Sequence, residues 1–335
     1  MDKNLRIQPL VTVLMPVFNG GEYLKEAIES ILDQTYSNFE FLIINDGSTD
    51  NSEDIILSFD DSRIVYVKNE HNIKLIDTLN KGINIAKGEF IARMDADDMS
   101  LQNRLEMQVH FLMNNNSVGL LGSGFEIING DKRISYYQDD KDLRLSLCFY
   151  NCFLHSSVMF RKEILSKNNL SFNKNYLHAE DYKLWTEVIC KSKVANLKEV
   201  LVRYRIHDNQ ISKIHEDVQK EIALKIQNEY LTSIGFTFSE NELAVLLSIH
   251  NTNYKKNNVL ECLRVMDKFY VQNKKCMFFE DRMLLLFLGK CYKNFLFEIQ
   301  KINKELYKFM LGSILYNQLS YTFKQKVSIQ FKRFR

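Results

Sequence analysis

Several features that mark other protein classes are scarce or missing in this 335-residue chain. It holds two prolines, one tryptophan and twelve glycines, so proline-rich and collagen-like segments are excluded. Its 44 basic and 42 acidic residues leave a formal charge of +2, which argues against nucleic-acid binding. No apolar run is long enough to span a bilayer, and no apolar leader opens the sequence. We therefore expect a globular protein of the cytoplasm.

Cysteine usage and size agree with that expectation. The six cysteines are scattered without a CxxC pair, so they predict reduced thiols and not zinc ligands or disulfides. Hydrophobic residues make up 45% of the chain and charged residues 26%, as in ordinary globular domains. A chain of this length can bury a sizeable core and add a second, smaller domain.

Strand and helix patterns alternate in the N-terminal part of the chain. Short apolar runs predict strands at residues 11–15, 39–44, 63–67 and 90–92. Apolar residues at helical spacing predict helices between them, within 22–35, near Ile55 and over 75–86. This alternation predicts an α/β fold with a right-handed parallel sheet and helices on both faces.

Carboxylates follow two of these predicted strands. Asp46 comes after the second strand, and Asp95 and Asp97 come after the fourth. In an open α/β sheet, ligands bind outside the carboxyl ends of the strands. Asp95 and Asp97 point the same way on an extended segment, which suits a hard divalent cation that carries phosphates. The alternative is an acidic loop in which Asp97 or Asp98 caps a following helix.

Four motifs, in their order along the chain, resemble the family 2 glycosyltransferases. They are Val13-Leu-Met-Pro-Val-Phe-Asn19, Ile44-Asn-Asp-Gly-Ser-Thr-Asp50, Ala92-Arg-Met-Asp-Ala-Asp-Asp98 and Ala179-Glu-Asp-Tyr-Lys-Leu-Trp185. The segment 199–212 is similar to bacterial lipooligosaccharide enzymes that add β-1,3-linked N-acetylhexosamine. The resemblance implies the GT-A nucleotide-sugar fold, a Rossmann-like mixed sheet flanked by helices, and a reaction that inverts the anomeric carbon.

The resemblance also implies a metal site in the Arg93-Met-Asp-Ala96-Asp97 motif. Asp97 would coordinate Mn²⁺ or Mg²⁺, and Asp95 would contact the donor ribose or reach the metal through water. His207 is a candidate to complete the metal shell, with strand capping or a phosphate contact as the alternatives. Arg93 either pairs with phosphate or neutralises Asp95.

Donor recognition is expected at the first two strand ends. The uracil edge would pair with backbone groups of Pro16, Val17 and Phe18. Asp46 would accept the uracil N3–H, although an Asx-turn or a helix cap is the structural alternative. Glu22 and Asn19 would hold the ribose hydroxyls, and for Asn19 a turn role is the alternative.

The acceptor side is expected at Glu180 and Asp181, which open a predicted helix where anions are favoured. By resemblance Asp181 is the general base, and Glu180 orients the acceptor or the base. Trp185 lies one helical turn later and would line the acceptor subsite or pack in the core. His155, on a strand predicted over 155–160, is a weaker acceptor-side candidate.

We predict a glycosyltransferase domain over residues 1–235 and a helical region over 236–335. The tail Phe323–Arg335 interleaves basic and aromatic residues, which predicts contact with an anionic membrane at the cytoplasmic face of the inner membrane. A solvated chain end is the alternative.

The sequence thus predicts a metal-dependent inverting transferase that moves a hexose or N-acetylhexosamine from a UDP-sugar. The acceptor would be a cell-surface or lipid-linked glycan of lipooligosaccharide, O-antigen or capsule. One alternative is a nucleotidyltransferase, which usually has a glycine-rich basic signature after the first strand; here no lysine or arginine lies between Pro16 and Lys25. The other alternative is a non-catalytic protein that binds nucleotide sugars.

Overall fold

The computed structural model describes residues 8–130, 132–134, 138–208, 210, 214–250, 259–298 and 304–318. The chain divides into two compact units. The first comprises the residues up to Leu143 together with Asn151–Ile226, and the second comprises Arg144–Tyr150 with the residues from Gln227 onward. The predicted domain boundary at residue 235 stays a prediction.

The first unit is built on a nine-stranded mixed sheet. Its strands are β1 (Val11–Val17), β2 (Phe39–Asn45), β3 (Ile64–Lys68), β4 (Phe90–Arg93), β5 (Met99–Ser100), β6 (Val118–Ile127), β7 (Arg133–Ile134), β8 (Met159–Arg161) and β9 (Lys193–Tyr204). The spatial order is β3-β2-β1-β4-β8-β6-β9-β5, and β7 pairs with β6. Strands β3, β2, β1 and β4 are parallel, as the alternating pattern predicts. Strand β8 runs antiparallel to β4 and β6, which makes the sheet mixed.

Thirteen helices lie in the described part of the chain. They are α1 (Leu24–Leu32), α2 (Ser52–Leu57), α3 (Leu75–Ile85), α4 (Arg104–Asn114), α5 (Asp140–Ser146), α6 (Lys162–Asn168), α7 (Glu180–Val188), α8 (Glu216–Ser233), α9 (Glu240–His250), α10 (Val259–Cys276), α11 (Asp281–Glu298), α12 (Lys304–Gly312) and α13 (Ile314–Gln318). Helix α1 buries Leu24, Ala27, Ile28 and Ile31, the stripe that its sequence spacing predicts.

The core of the first unit explains why the strand ends meet at one edge. Strands β1, β2 and β4 are buried almost throughout, as strands covered on both faces must be. Gly82 of α3 faces Leu14 of β1, where an added Cβ would lie 2.3 Å from Leu14 Cδ1. The helix therefore lies close against the sheet, and the carboxyl ends of the parallel strands open at a single edge.

Two sequence predictions of local structure need correction or completion. The segment predicted as a strand over 155–160 begins with a 3-10 turn, His155–Ser157, and β8 starts only at Met159. The backbone N–H of Ser157 donates to Leu154 O at 2.9 Å, which closes the turn. The apolar pattern of residues 143–153 fits either a strand or a helix, and in the structure this segment begins with the last turn of α5.

The second unit has an aromatic core. Phe236 and Phe279 both contact Phe269, with ring centroids 4.9 Å and 5.8 Å apart. Among the helices that the structure describes, none combines the length and apolarity that a bilayer crossing needs. The tail Phe323–Arg335 lies outside the described residues, so its predicted membrane contact stays a prediction. None of the six cysteines forms a disulfide.

Candidate active site

Three carboxylates gather in the turn that follows β4. Asp95, Asp97 and Asp98 each offer an oxygen, and these oxygens lie within 4.8 Å of one another. Asp98 is 1% exposed, and the sequence predicted only a capping role for it. Such a cluster is unfavourable unless cations or donors compensate its charge. The turn therefore concentrates negative charge at the carboxyl edge of the sheet.

Two side chains compensate part of this charge. Arg93 is 2% exposed and forms an ion pair with Asp95, which favours the neutralising role over direct phosphate binding. The Ser156 hydroxyl lies 2.5 Å from Asp95 Oδ2 and also contacts Asp98. Sequence analysis missed Ser156, because the turn that presents it comes 61 residues after Asp95 and carries no motif of its own.

The three carboxyl groups differ in their pKa shifts. Burial raises the pKa of Asp95, but Arg93, His155 and Ser156 together outweigh burial through their charges and hydrogen bonds, and they leave that pKa below its ordinary value. Burial and the neighbouring Asp95 charge raise the pKa of Asp97. Burial and both neighbouring carboxylates hold the pKa of Asp98 well above its ordinary value. The cluster thus favours any ligand that brings positive charge.

The segment after β9 contacts this cluster. His207 Nε2 lies 3.0 Å from Asp97 Oδ2, so the structure brings together the two residues predicted as metal ligands. Arg205 holds the segment in place: its backbone N–H donates to Asp98 Oδ1 and its Nε–H to Asp97 O, both at 2.9 Å. Its guanidinium also lies over the Tyr23 ring, 4.4 Å from the centroid.

The donor set fits a hard divalent cation. Carboxylate oxygens from one turn suit Mg²⁺ and Mn²⁺, and one imidazole is also compatible with Mn²⁺. Asp95, Asp97 and Asp98 present those oxygens together, and His207 adds the nitrogen. Since all four come from two segments fixed by Arg205, the residues present could hold such an ion.

Asp46 lies at the end of β2 and is 3% exposed. Its Oδ1 accepts hydrogen bonds from Asn69 Nδ2 at 2.8 Å and from the Ile73 N–H at 2.9 Å. Its Oδ2 accepts from the Lys74 N–H at 2.9 Å. A carboxylate has about four acceptor positions, so one position remains on Oδ2 for a donor such as an imide N–H. Asp46 therefore also fixes the 69–74 loop.

Glycine after Asp46 is required by this loop. Gly47 has φ +71, and an added Cβ would lie 2.7 Å from the backbone carbon of His71. The close approach places the loop where its N–H groups donate to Asp46.

The other predicted donor residues surround the end of β1. Pro16 and Val17 end the strand, and Phe18 is 49% exposed beside them. Asn19 has φ +52, and its Oδ1 accepts from the Thr49 N–H at 2.8 Å, which supports the turn role. Two candidates remain. Glu22 is exposed and lies just before α1, and Ala96 is half-buried and lies between Asp95 and Asp97.

Asp181 lies in the first turn of α7, and two donors hold its carboxylate. The Tyr182 N–H donates to Oδ1 at 2.6 Å, and Asn151 Nδ2–H donates to Oδ2 at 2.8 Å. Burial raises the pKa of Asp181, whereas these hydrogen bonds and the charge of Arg93 oppose that rise. Asp95 also contributes to the pKa of Asp181, so the two acidic sites interact electrostatically.

Glu180 differs from Asp181 in its burial. It is 6% exposed, and burial together with the Asp181 charge raises the pKa of Glu180 to about 7. Arg93 lowers the pKa of Glu180, as it does for Asp181. A buried arginine therefore acts on the carboxylates of both β4 and α7.

The two aromatic acceptor-side candidates lie inside the fold. Trp185 is 0% exposed and packs against Phe153, Phe160 and Phe172 at centroid distances of 6.2–6.3 Å. It cannot present a face to a sugar, so its predicted acceptor contact is wrong and the core-packing alternative holds. The His155 ring lies 5.6 Å from Phe172 and 6.0 Å from Trp185, which supports a structural role for it as well.

Comparison with known sequences gives one family. The family model described as "Glycosyl transferase family 2" matches residues 12–174. An uncharacterized glycosyltransferase of Haemophilus influenzae is 36% identical over 273 residues, which is 76% of this chain and 84% of that protein. WfgD of Escherichia coli, a UDP-Glc:alpha-D-GlcNAc-diphosphoundecaprenol beta-1,3-glucosyltransferase, is 30% identical over 206 residues, 61% of this chain and 79% of WfgD.

Comparison with solved structures gives the same fold. The crystal structure of S. aureus TarS 1-349 in complex with UDP-GlcNAc aligns with a TM-score of 0.59. The alignment covers 85% of this chain and 88% of that one at 15% sequence identity. At that identity the likeness establishes the shared architecture alone.

Proposed function

The chain belongs to the family 2 glycosyltransferases, and on this premise we propose that it is a metal-dependent inverting enzyme. It would transfer a hexose or N-acetylhexosamine from a UDP-sugar to a hydroxyl group of a cell-surface glycan or its lipid-linked precursor. The sequence relatives favour glycosyl transfer over the nucleotidyltransferase and non-catalytic alternatives. The names of WfgD and of the O-antigen enzyme WbnJ, which is 32% identical, support the acceptor class.

One observation carries the proposal: the 3-10 turn His155–Ser157 contacts both the acidic turn after β4 and the helix of Asp181, because Ser156 Oγ donates to Asp95 Oδ2 at 2.5 Å and the His155 ring lies 6.0 Å from Trp185 of α7. Arg93 acts on Asp95, Glu180 and Asp181, so these groups share one neighbourhood. An inverting transfer needs a base on one side of the sugar and a stabilised leaving group on the other. The two carboxylate sites supply residues for both tasks.

Each residue then has a role in the transfer. Asp97 and His207 would hold the divalent cation, and Asp95 would contact the donor ribose or reach the cation through water. The cation would act as a Lewis acid that stabilises the negative charge developing on the departing UDP. Asp46 would bind the base of the nucleotide through the acceptor position left on Oδ2. Asp181 would take the proton of the acceptor hydroxyl as that oxygen attacks the anomeric carbon.

The experiment compares the wild-type protein with Asp181→Asn. Both are incubated with Mn²⁺, with UDP-glucose or UDP-N-acetylglucosamine, and with a synthetic α-GlcNAc-diphospholipid; the product is measured by mass spectrometry. Asp181→Asn should lower the transfer rate at least about 100-fold, because a general base contributes about 10²–10⁴-fold. Calorimetry should show UDP binding within a factor of about two of wild type, because Asp181 acts on the acceptor.

Asp281→Asn is the matched control, since Asp281 also lies in the first turn of a helix. It should leave the transfer rate unchanged. Near-wild-type transfer by Asp181→Asn, or release of pyrophosphate from UTP and a sugar phosphate, would contradict the proposal.

A further inference from the structure

Asn151 is a half-buried amide that contacts the candidate base directly. Its Nδ2–H donates to Asp181 Oδ2 at 2.8 Å. It belongs to neither a helix nor a strand and lies outside the four motifs, so nothing in the sequence pattern pointed to it. The preceding residues Arg144–Tyr150 lie in the second unit, and Asn151 is the residue at which the chain returns to the first.

The amide of Asn151 is itself held in one orientation. The backbone N–H of Phe153 donates to Asn151 Oδ1 at 3.3 Å, so the amide oxygen faces the backbone and the NH₂ group faces Asp181. The reverse orientation would place a carbonyl oxygen against a carboxylate. Phe153 is 4% exposed and packs against Trp185 of α7, and this contact fixes the segment of Asn151 relative to the helix that carries Asp181.

The carboxylate of Asp181 is therefore held from both of its oxygens. Oδ1 accepts from the Tyr182 N–H, which belongs to the same helix, and Oδ2 accepts from Asn151, which does not. Of these two contacts, only the second ties the carboxylate to a segment outside α7. Each oxygen retains an acceptor position, so an acceptor hydroxyl can still donate its proton.

We propose that Asn151 is a positioning residue for the base: it orients the Asp181 carboxylate and keeps it ionised. The inference rests on the proposed function, because Asp181 has a base to be positioned only if the protein transfers sugars. A hydrogen bond to the charged form of an acid favours that form. Other charged groups facing Asp181 are Arg93, which favours ionisation, and Asp95 and Glu180, which oppose it.

The first measurement needs no substrate. In protein labelled with ¹³C at aspartate carboxyl groups, the resonance missing from Asp181→Asn identifies Asp181, and its titration gives the pKa. In Asn151→Ala the pKa of Asp181 should rise by about one unit, the shift that loss of a charge-assisted hydrogen bond produces. In Asn151→Asp, which has nearly the same shape, the rise should be larger because a second carboxylate replaces the donor.

The second measurement is the pH profile of sugar transfer, with the UDP-sugars and the α-GlcNAc-diphospholipid named above. The acid limb of kcat/KM should move to higher pH in both variants. The plateau in Asn151→Ala should fall about 10- to 100-fold, part of the contribution of a general base. A role in folding alone would move neither the limb nor the Asp181 titration.

Asn115→Ala is the control, because half-buried Asn115 also donates an Nδ2 hydrogen bond of 2.8 Å, to Phe111 O, without contacting Asp181. An unchanged Asp181 titration and an unchanged plateau in the Asn151 variants would overturn the inference. If Asp181→Asn is inactive at the same time, the proposed function stands and only the role of Asn151 falls.

Discussion

Glu180 gives the most direct test of the electrostatics at the start of α7. It is 6% exposed, and burial followed by the Asp181 charge raises the pKa of Glu180 from 4.5 to about 7. Substitution by glutamine keeps the size and shape of the side chain and removes the proton that titrates. The free energy of unfolding of Glu180→Gln, compared with wild type, should therefore depend on pH.

The size and sign of this dependence follow from the two pKa values. Each pKa unit corresponds to about 1.36 kcal/mol, so a shift from 4.5 to about 7 amounts to about 3 kcal/mol. Because the folded pKa lies above the unfolded one, the stabilising contribution of Glu180 is fully present below pH 4.5. It is lost as the pH rises through 7, where a buried carboxylate must ionise.

The measurement is urea-induced unfolding, followed by circular dichroism at pH 5 and pH 8.5 at one ionic strength. Relative to wild type, Glu180→Gln should gain up to about 3 kcal/mol between the two pH values. Glu221→Gln removes an exposed negative charge on α8 and serves as the control. A difference between Glu180→Gln and wild type that stays constant with pH would refute the reasoning, and so would one that shrinks as pH rises.

Three further outcomes are expected. Lys74 has φ +77 and ψ 157, a conformation that is nearly restricted to glycine. Lys74→Gly should therefore raise the free energy of unfolding by about 1–2 kcal/mol in urea titrations. A loss of stability in this variant would contradict the prediction. Arg104 is 0% exposed and donates a hydrogen bond to Arg93 O at 2.8 Å. Arg104→Ala should therefore lower the free energy of unfolding by about 3 kcal/mol. A change below about 1 kcal/mol would argue against a stabilising role of Arg104. His207→Ala should weaken UDP binding about 10-fold with Mn²⁺ and leave metal-free binding unchanged by calorimetry, whereas equal effects with and without Mn²⁺ would exclude a metal-linked role.

Much of the fold was readable from local patterns. The apolar runs of β1, β2, β3 and β4 and the helical stripes between them have the predicted positions within a few residues. Parallel strands buried on both faces are mostly apolar, so each reads as a short hydrophobic run. Each of the first three strands is followed by a helix, so strand and helix patterns alternate along the chain. The antiparallel β8 was harder to delimit, because the 3-10 turn before it has the composition of a strand.

Some residues of the candidate site were also visible in the sequence, and others were not. Asp46, Asp95, Asp97 and Asp181 stand within motifs, so their residue types and order were visible in the sequence. Ser156 and Asn151 stand in none, yet each donates a hydrogen bond to one of those carboxylates. Trp185 shows the opposite case. Its position in a motif suggested a sugar contact, but its side chain is buried in the core.

The order of strands, helices and carboxylates was determined by the sequence itself, because period and composition act over a few neighbouring residues. Only the tertiary structure decided which groups contact those carboxylates: His207 contacts Asp97, Arg93 forms an ion pair with Asp95, and Asn151 donates to Asp181. The reason is physical. Side chains distant in the chain meet only after the sheet has folded, and burial and charge shift each pKa only once they have met.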